Sequence, residues 1–526
     1  MKKSRTPLGG MLQRAFAKAL LLEKRKNRFA NLADLEEYQF LESRRKFLKT
    51  GITAGGVILA GGFLQSCAAL GGVKNLKRDT RIAIVGGGIA GLAAAYELKK
   101  AGWFSTIYEA SKRTGGRMYT GKNLGADGIT TEIGGEFYDT GHPQILALCK
   151  ELDLELIDTQ TPEEKKLHGE LFYFNGRLYS EEEVIEAFRP LAVRIEADLA
   201  KVTDEIGYTS STADEKKLDN TSLAEYLGSM PMDDWFFELM DAAYTSEMGV
   251  DIGNQSSLNL ITFISTETEA FKIFGSSDER YKTKGGNQQV VDRLAEKLPD
   301  QIQTDHILEA IFQNGNATVL KFANGKEVNA DVVILALPFT KLREVDIRID
   351  LPPAKKYAIQ NLNYGTNSKL MFGMNRRVWR EQGYSGYLFD KLWQNGWDSS
   401  QMQTNNMGPG SYTSLLGGKV GLSVGMWDHA PYLAQLDKVF SGAKDAWNGK
   451  KSSYNWGTYP HNKGSYSAYS VGQWTSICGA EGEPVGNIFF AGEHCSSDYQ
   501  GFMNGGLVTG QQAAKDALAM MGVKVK

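Results

Sequence analysis

The sequence predicts an α/β protein in which a doubly covered parallel sheet carries a second domain, and three features lead to this prediction. A short apolar run, Ile82–Val85, feeds a Gly-x-Gly-x-x-Gly turn and then an alanine-rich helix. A second apolar strand follows and ends on Glu109, about 20 residues beyond the glycines. Long helical patterns and strand patterns then separate the later apolar runs, which indicates that a second domain interrupts the first.

Each glycine of the turn has its own physical reason. Gly86 permits the sharp bend, Gly88 lets the backbone approach a pyrophosphate, and Gly91 allows the helix to pack closely on the strand. The helix that follows offers free N–H groups and the positive end of its dipole to phosphates. Glu109 stands where a carboxylate would bind a ribose hydroxyl and disfavour a 2′-phosphate. The pattern predicts that a dinucleotide binds here.

Bulk properties exclude several classes of function. The chain has 526 residues, enough for two or three domains, and its formal net charge of -3 gives no basic field for nucleic acid. The four cysteines lack C-x-x-C spacing, so neither a zinc site nor a disulfide framework is predicted: Cys67, Cys149, Cys478 and Cys495.

The amino-terminal region differs from the rest of the chain. Residues 1–42 form a basic leader with apolar residues at helical spacing, among them Leu12, Phe16 and Leu20. Residues 43–70 resemble a twin-arginine export signal, because two arginines precede Phe-Leu-Lys and a glycine-diluted apolar stretch. Cys67 ends a segment similar to a lipoprotein cleavage site. We therefore expect the twin-arginine export machinery as a partner and a location in the periplasm, or at a membrane facing outside the cytoplasm. An uncleaved anchor and a leader without any export role are the alternatives.

The pattern of turns predicts several local elements. A polar linker covers 71–80, and the turns predict a β-hairpin over Phe172–Leu178, a helix from Glu181 to Ile206 and a three-stranded meander over 306–329. No internal repeat is visible.

A family resemblance becomes specific after the second strand. The combination Glu-Ala-x-x-Arg-x-Gly-Gly-Arg over Glu109–Arg117, followed by the glycine-rich segment Thr131–Phe137, resembles the flavin-dependent amine oxidases, which include monoamine oxidase, polyamine oxidase and the flavin histone demethylases. Two later segments, Trp456–Ser467 and Phe489–Gly506, are similar to that family in the same order.

The resemblance implies a Rossmann-like FAD-binding domain of the amine oxidase and glutathione reductase type, interleaved with a mixed-sheet substrate domain. The implied segments are 81–152, 282–340 and 455–520 for the FAD-binding domain, and 153–281 and 341–454 for the substrate domain. It also implies FAD as the cofactor. FAD is expected to be non-covalent, because Ser465 stands where monoamine oxidases carry the cysteine that bonds to flavin. The implied cofactor-binding residues are Gly86, Gly88, Ala90, Gly91, Glu109, Ala110, Gly116, Arg117, Gly135, Glu136, Leu308, Trp456, Gly492, Glu493 and Met503.

The same resemblance implies a catalytic set. Lys369 would face flavin N5 through a water molecule and assist its reoxidation, and Tyr466 and Phe502 would form the aromatic pair beside the flavin, with phenylalanine in place of the usual tyrosine. For substrate binding it implies Trp456 and Asp139, the latter as a partner for a distal ammonium. A solvated loop aspartate is the alternative for Asp139.

The implied reaction is FAD-dependent oxidation of an amine to an imine and then an aldehyde, with O2 reduced to H2O2. An L-amino acid oxidase that holds its substrate carboxylate with Arg280 or Arg376 is one alternative. An exported flavin-binding lipoprotein without turnover is another. A carotenoid-type desaturase is disfavoured by Lys369 and the aromatic pair. His494 and Cys495 flank a cofactor motif, and we expect structural roles for both, because the sequence offers no third group to orient a nucleophilic pair.

Overall fold

The structure is a computed structural model that describes residues 15–16, 18–23, 77–263, 278–404, 406–425 and 429–523. The predicted export signal at 43–70, Cys67 and Leu12 lie outside these residues. Among the helices described, none is long and apolar enough to cross a membrane.

The described strands and helices alternate along most of the chain. In chain order the strands are β1 (Lys77–Val85), β2 (Trp103–Tyr108), β3 (Thr120–Lys122), β4 (Thr130–Glu132), β5 (Leu156–Asp158), β6 (Leu171–Phe174), β7 (Arg177–Tyr179), β8 (Tyr281–Thr283), β9 (Ile302–Gln303), β10 (Leu308–Asn314), β11 (Ala317–Phe322), β12 (Glu327–Ala330), β13 (Val332–Leu335), β14 (Asp346–Arg348), β15 (Ser368–Met374), β16 (Leu388–Asp390), β17 (Gln394–Asp398), β18 (Gly410–Leu416), β19 (Trp447–Asn455) and β20 (Ile488–Phe490). The helices from residue 77 onwards are α1 (Ile89–Lys100), α2 (Pro143–Glu151), α3 (Glu181–Leu199), α4 (Ala213–Asp219), α5 (Leu223–Gly228), α6 (Asp234–Met248), α7 (Leu258–Ile261), α8 (Gln288–Glu296), α9 (Phe339–Leu342), α10 (Pro353–Asn361), α11 (Val378–Glu381), α12 (Gly418–Leu422), α13 (Ala430–Val439), α14 (Ala443–Ala446) and α15 (Met503–Met520).

The first domain is built on a five-stranded parallel sheet in the order β20-β13-β1-β2-β9. Its central strand buries both faces. Ile82 and Ile84 pack into one core with α1, α8 and α15, whereas Ala83 and Val85 pack into another. A strand covered on both faces needs a continuous apolar run rather than an alternating one, which is what Ile82–Val85 provides.

Strand β1 begins earlier than the sequence predicts. Residues 77–80 lie in the predicted linker, yet Lys77 donates its backbone N–H to the Gly102 carbonyl at 2.9 Å and pairs with Trp103. The sequence did not predict this extension, because its residues are charged or polar and show no apolar strand pattern. The charged side chains stay exposed while Lys77 and Arg78 lie over the rings of Trp103 and Phe104.

A four-stranded sheet in the order β12-β11-β10-β14 lies beside the parallel sheet. Strands β10 to β12 are antiparallel, as predicted, with Gly315 and Gly325 at positive φ in the two turns. Strand β14 joins β10 in parallel, although it lies after residue 340, where the sequence placed the end of this segment. Its three residues alternate between exposed and half-buried and carry no strand signal of their own.

The second domain contains a seven-stranded mixed sheet in the order β19-β15-β18-β17-β16-β6-β7. The predicted hairpin is β6 and β7, and Asn175 and Gly176 take positive φ at its tip. Helix α3 begins at the predicted residue with a capping box between Ser180 and Glu183, but it ends at Leu199 rather than at Ile206. The three helices α3, α5 and α6 bury their apolar sides in one core with β6.

Candidate active site

One cleft opens at the carboxyl ends of the parallel strands. Gly86 follows β1, Glu109 follows β2, Ala336 follows β13 and Gly492 follows β20, and all four line this cleft. Carboxyl ends of parallel strands meet at one edge of a sheet, and ligands of open α/β sheets bind there. The topology therefore brings together residues that lie up to about 400 positions apart in the chain.

The glycine turn has the three properties that the sequence predicted. Gly86 has φ of 106°, and a Cβ on it would lie 2.5 Å from the Ala336 carbonyl oxygen. A Cβ on Gly88 would meet no atom within 4 Å, so this residue faces open space. A Cβ on Gly91 would overlap the Gly86 carbonyl oxygen. Gly88 is therefore the position where a ligand can approach the backbone, while Gly91 is needed for packing.

Glu109 is held by the turn that it faces. Its carboxylate accepts the Gly87 N–H at 2.7 Å, and it accepts both the N–H and the hydroxyl of Ser111 at 2.8 and 2.7 Å. The residue is 9% exposed and lines the cleft. A carboxylate fixed at the end of the second strand has the chemistry to bind hydroxyl groups.

An ion pair between half-buried Arg117 and buried Glu493 joins the first cofactor motif to the last. Arg117 Nη1 lies 2.8 Å from Glu493 Oε1 and also donates to the Ser465 carbonyl at 2.7 Å. The Glu493 carboxylate further accepts the Ser467 N–H and hydroxyl and the Gly501 N–H, at 2.8 to 3.0 Å. These contacts fix the turn that opens α15, whose amino-terminal end reaches the cleft at Phe502 and Met503.

The remaining predicted cofactor residues also line this cleft, with two exceptions. Ala90, Ala110, Gly116, Gly135, Glu136, Trp456, Gly492 and Met503 belong to its lining. Trp456 is fixed by a hydrogen bond from its indole N–H to the Ile133 carbonyl at 3.0 Å. Gly91 packs behind the turn, as described above. The second exception is Leu308, which is 8% exposed and lies in the core opposite Phe322, so the structure does not bring its side chain to the cleft.

Lys369 lies in β15 with its ammonium in the cleft wall. Nζ donates to the carbonyl oxygens of Glu132 and Gly134 at 2.7 and 2.9 Å and to Glu136 Oε2 at 2.7 Å. It lies over the ring of Trp397, 5.4 Å from the centroid. The side chain is 5% exposed, so a cation is kept in an almost dry wall by three protein oxygens and one ring.

Glu136 connects this lysine to a second one. Its other oxygen lies 3.3 Å from Lys282 Nζ, and all three side chains are at least nine-tenths buried. Burial by itself raises the pKa of Glu136, but the charges of Lys369 and Lys282 outweigh burial and hold that pKa below its ordinary value. Burial and the neighbouring Glu136 charge raise the pKa of Glu132 to about 7. Four ionisable groups therefore interact here, with Lys369 and Glu136 in the cleft lining and Lys282 and Glu132 behind it.

Tyr466 and Phe502 line the same cleft. The Tyr466 hydroxyl donates to the Glu247 carbonyl at 2.9 Å, which fixes its ring. The Phe502 ring meets the edge of His142, with centroids 4.8 Å apart. The two aromatic side chains of the predicted pair are thus held from different places, Tyr466 by α6 and Phe502 by the residue that precedes α2.

Asp139 is not a solvated loop residue. It is 1% exposed and lines the cleft, and its Oδ1 accepts the Glu279 N–H at 2.9 Å. Oδ2 lies 3.4 Å from His142 Nε2. Of the two alternatives for Asp139, the solvated one is wrong, because the contacts with Glu279 and His142 hold the carboxylate inside the protein.

His494 and Cys495 lie outside the cleft lining. His494 is 2% exposed and packs on the Phe339 ring at 4.5 Å, and burial lowers its pKa to about 3. Burial raises the pKa of the Cys495 thiol far above its ordinary value. A neutral imidazole beside a protonated thiol has no use as a nucleophilic pair.

Comparison with known proteins is consistent with this geometry. The family model described as flavin containing amine oxidoreductase matches residues 89–518, which is most of the chain.

The chain belongs to this family of flavin-containing amine oxidases.

It is similar to the flavin-containing amine oxidase A of Sus scrofa, with 24% identity over 463 residues that cover 84% of this chain and 85% of the relative. It is also similar to an L-amino acid dehydrogenase of Synechocystis sp., with 25% identity over 460 residues that cover 83% of this chain and 94% of the relative.

Solved structures show the same fold. Cyclohexylamine oxidase from Brevibacterium oxydans has a TM-score of 0.74 and 21% identity, and the match covers 85% of this chain and all of that one. Putrescine oxidase bound to putrescine has a TM-score of 0.71 and 21% identity, with 84% and 99% covered. The protein is therefore an amine-oxidising flavoenzyme by family, and its cofactor is FAD.

The residues that line the cleft have the properties needed to bind FAD. The open space at Gly88, the carboxylate of Glu109 and the helix end at Met503 lie along one cleft, so a nucleotide end and a ring end are both provided. The lining holds none of the three described cysteines, Cys149, Cys478 and Cys495. Ser465 lines it instead, with its hydroxyl bonded to Asn367 at 2.6 Å.

Sequence reasoning missed several residues of the site. Asn367, Trp397, Leu415 and Glu279 line the cleft, and Lys282 supports it from behind. Trp397 and Leu415 are ordinary residues of β17 and β18 in the sequence. Lys282 gave one usable signal, since it stands between Tyr281 and Thr283, three residues before the Gly-Gly segment that opens α8.

Proposed function

We propose that this enzyme oxidises a primary or secondary amine to an imine, which water hydrolyses to an aldehyde, and that O2 takes up the electrons and becomes H2O2. The observation that carries this proposal is the charge of the cleft. Its ring end has the acidic residues Asp139 and Glu279 in its lining, in addition to Glu136, whose charge is balanced by Lys369 and Lys282. An acidic wall favours a cationic or amine substrate over one that bears a carboxylate.

The arginines near the cleft are already engaged. Arg113 and Arg117 belong to the lining, but they bond the Gly116 carbonyl and Glu493, at the nucleotide end. Arg280 forms a two-point ion pair with Asp158 at 2.7 and 2.9 Å, and Arg376 pairs with Glu381. Neither Arg280 nor Arg376 is in the lining, which argues against both as carboxylate anchors.

The protein's own residues then have distinct tasks. FAD, when bound non-covalently, supplies the acceptor for the hydride that leaves the α-carbon of the amine. Tyr466 and Phe502 orient the amine between apolar rings and exclude water. Asp139 and Glu279 attract a second cationic group of a diamine. The Lys369 ammonium, fixed by Glu136, stabilises negative charge that develops when O2 is reduced.

The L-amino acid dehydrogenase relative favours a second candidate, oxidation of an L-amino acid. In that case a basic amino acid would fit the acidic wall through its side chain, and the electron acceptor need not be O2.

We also propose that residues 43–70 direct export and that Cys67 is a lipid attachment site. Comparison of the amino-terminal sequence and mass of the membrane-bound and soluble protein tests this.

The test is anaerobic reduction of the yellow protein by substrates of matched skeleton. Pentylamine, cadaverine and L-lysine share a chain of five carbon atoms that begins at an amine-bearing carbon. Cadaverine adds a distal ammonium, and L-lysine adds both a distal ammonium and a carboxylate. Bleaching by cadaverine at least tenfold faster than by L-lysine, with peroxide formed on admission of air, is the expected result.

Two other outcomes would contradict amine oxidation. Faster bleaching by L-lysine than by cadaverine would establish the second candidate, and a quinone in place of air would then show whether O2 is the acceptor. Bleaching by dithionite but by none of the amines or amino acids would mean that the protein binds flavin without this turnover.

A further inference from the structure

The substrate domain holds a piece of the chain's own amino-terminal leader. Residues 15–16 and 18–23 are helical, and we refer to them as the leader helix. Phe16, Ala19, Leu20 and Leu22 are completely buried, and they belong to the same apolar core as α3. A leader that is only an address has no reason to bury its side chains in the folded domain.

The contact with α3 is specific. The Phe16 ring meets the Phe188 ring edge to face, with centroids 5.6 Å apart, in the geometry that aromatic pairs prefer. Phe188 is itself fully buried, as are its core neighbours on the same helix, Leu191 and Ile195. Phe236 packs on the same ring at 5.4 Å, so without the leader helix Phe188 would lose one of two partner rings, and apolar surface of α3 would be uncovered.

Two ion pairs frame this apolar contact. Lys18 Nζ lies 2.8 Å from Glu181 Oε1, and Glu23 Oε1 lies 2.6 Å from Arg189. The lysine and the arginine are only 11% and 19% exposed. The leader helix thus carries a basic residue, Lys18, and an acidic residue, Glu23, and each faces a residue of opposite charge on α3. These two pairs fix the position of the leader helix on α3.

We infer that this face of α3 is a docking site for the leader helix, and that the helix remains bound to the folded protein whether or not the chain is intact across residues 24–76. The inference is independent of the proposed reaction. It has a consequence for the proposed export signal, which lies between the leader helix and the domain. Cleavage before Cys67 would yield a two-chain protein that keeps its leader helix.

The test is to cut the chain on purpose. A protease site is inserted between Gly71 and Gly72 of the full chain, and the purified holoprotein is cleaved under native conditions. On gel filtration the amino-terminal fragment is expected to co-elute with the body at equal molar amounts, as measured by intact mass. Separation of the wild-type fragment from the body would overturn the inference.

Two kinds of variant make the test specific. Phe16→Asp places a charge in the apolar contact and is expected to release the fragment, with affinity lowered roughly a hundredfold. Lys18→Glu is expected to raise the rate of fragment loss about two- to fivefold, and the double variant Lys18→Glu with Glu181→Lys to restore it. Failure of the charge reversal to restore retention would contradict the assigned pairing.

The alternative source of the docked helix is a second copy of the chain. Tagged and untagged full chains are therefore mixed, allowed to exchange and captured by the tag. Capture of untagged chains that is abolished by Phe16→Asp would show that the face takes a neighbour's leader helix, which would overturn docking within one chain.

Discussion

At the scale of single residues, the main feature of the active site is the ammonium group of Lys369, which lies in a nearly dry wall of the cleft. Lys369 is kept there by Glu136 and by two carbonyl oxygens, and Glu136 is in turn paired with Lys282. Such a group is costly to bury unless it is fully hydrogen-bonded, so its surroundings must be built for it. This arrangement keeps a positive charge at a defined place in the cleft.

Replacement of this lysine should affect the two halves of the reaction differently. For Lys369→Met we expect the reaction of the reduced protein with O2 to slow by about tenfold or more, because the charge that stabilises reduced oxygen is lost. Anaerobic reduction by the best amine should change less. Stopped-flow absorbance measures the two rates separately.

Lys355→Met is the matched control. Lys355 is 1% exposed and donates to the Glu481 carbonyl at 2.6 Å, but it does not line the cleft. An equal effect of the two substitutions on the reaction with O2 would contradict the assigned role of Lys369.

A second residue, His494, contributes to the response of stability to acid. His494 is buried and neutral, and both ring nitrogens lack a hydrogen-bond partner among the described residues. Its pKa is about 3 in the folded protein against 6.5 for an ordinary histidine. Its contribution to stability is therefore present above pH 6.5 and is lost as the pH falls towards 3.

His494→Leu should remove this dependence. Between pH 7 and pH 5 the wild-type protein is expected to lose about 2 kcal/mol of unfolding free energy through this group, and the variant is expected not to show that loss. Denaturant titration at both pH values gives the difference. Identical losses in the two proteins would mean that His494 does not carry the effect.

At the scale of elements, the glycines of the first turn divide into those that pack and those that face the cleft. Helices α1 and α15 approach so closely that a Cβ on Gly510 would overlap the Ala90 carbonyl oxygen. The same holds for Gly91 against Gly86, whereas Gly88 faces open space.

These positions offer a matched pair of substitutions. Gly91→Ala should lower the unfolding free energy of the protein by about 1–3 kcal/mol, because backbone must move to admit the methyl group. Gly88→Ala, at φ of -76°, should leave stability without FAD nearly unchanged and weaken FAD retention. Thermal unfolding and the release of flavin fluorescence distinguish the two. Equal effects on both readouts would show that Gly88 is also a packing residue.

At the scale of the whole molecule, the site depends on chain segments that are far apart in sequence. The turn after β1, the loop after β13, strand β15 and the start of α15 each supply part of one lining. The ion pair of Arg117 with Glu493 ties the segment after β2 to the segment after β20, and the hydrogen bond of Trp456 to Ile133 ties the end of β19 to the end of β4. The cleft therefore exists only in the complete fold.

The sequence by itself determined the parts of this protein that local chemistry dictates. The glycine turn, Glu109 at the end of β2, the meander and the hairpin follow from backbone geometry and hydrogen bonding within a few residues, so they could be predicted. The family resemblance added Lys369, Tyr466 and Phe502, and the tertiary structure brings these three into one cleft.

Only the tertiary structure decided which residues meet. Three of these arrangements depend on contacts between segments that lie more than 100 residues apart: Lys282 behind Glu136, Glu279 beside Asp139, and the leader helix on α3. The core position of Leu308 depends on the side to which its strand turns its side chains. Such contacts are set by packing and charge pairing in three dimensions, and no local pattern encodes them.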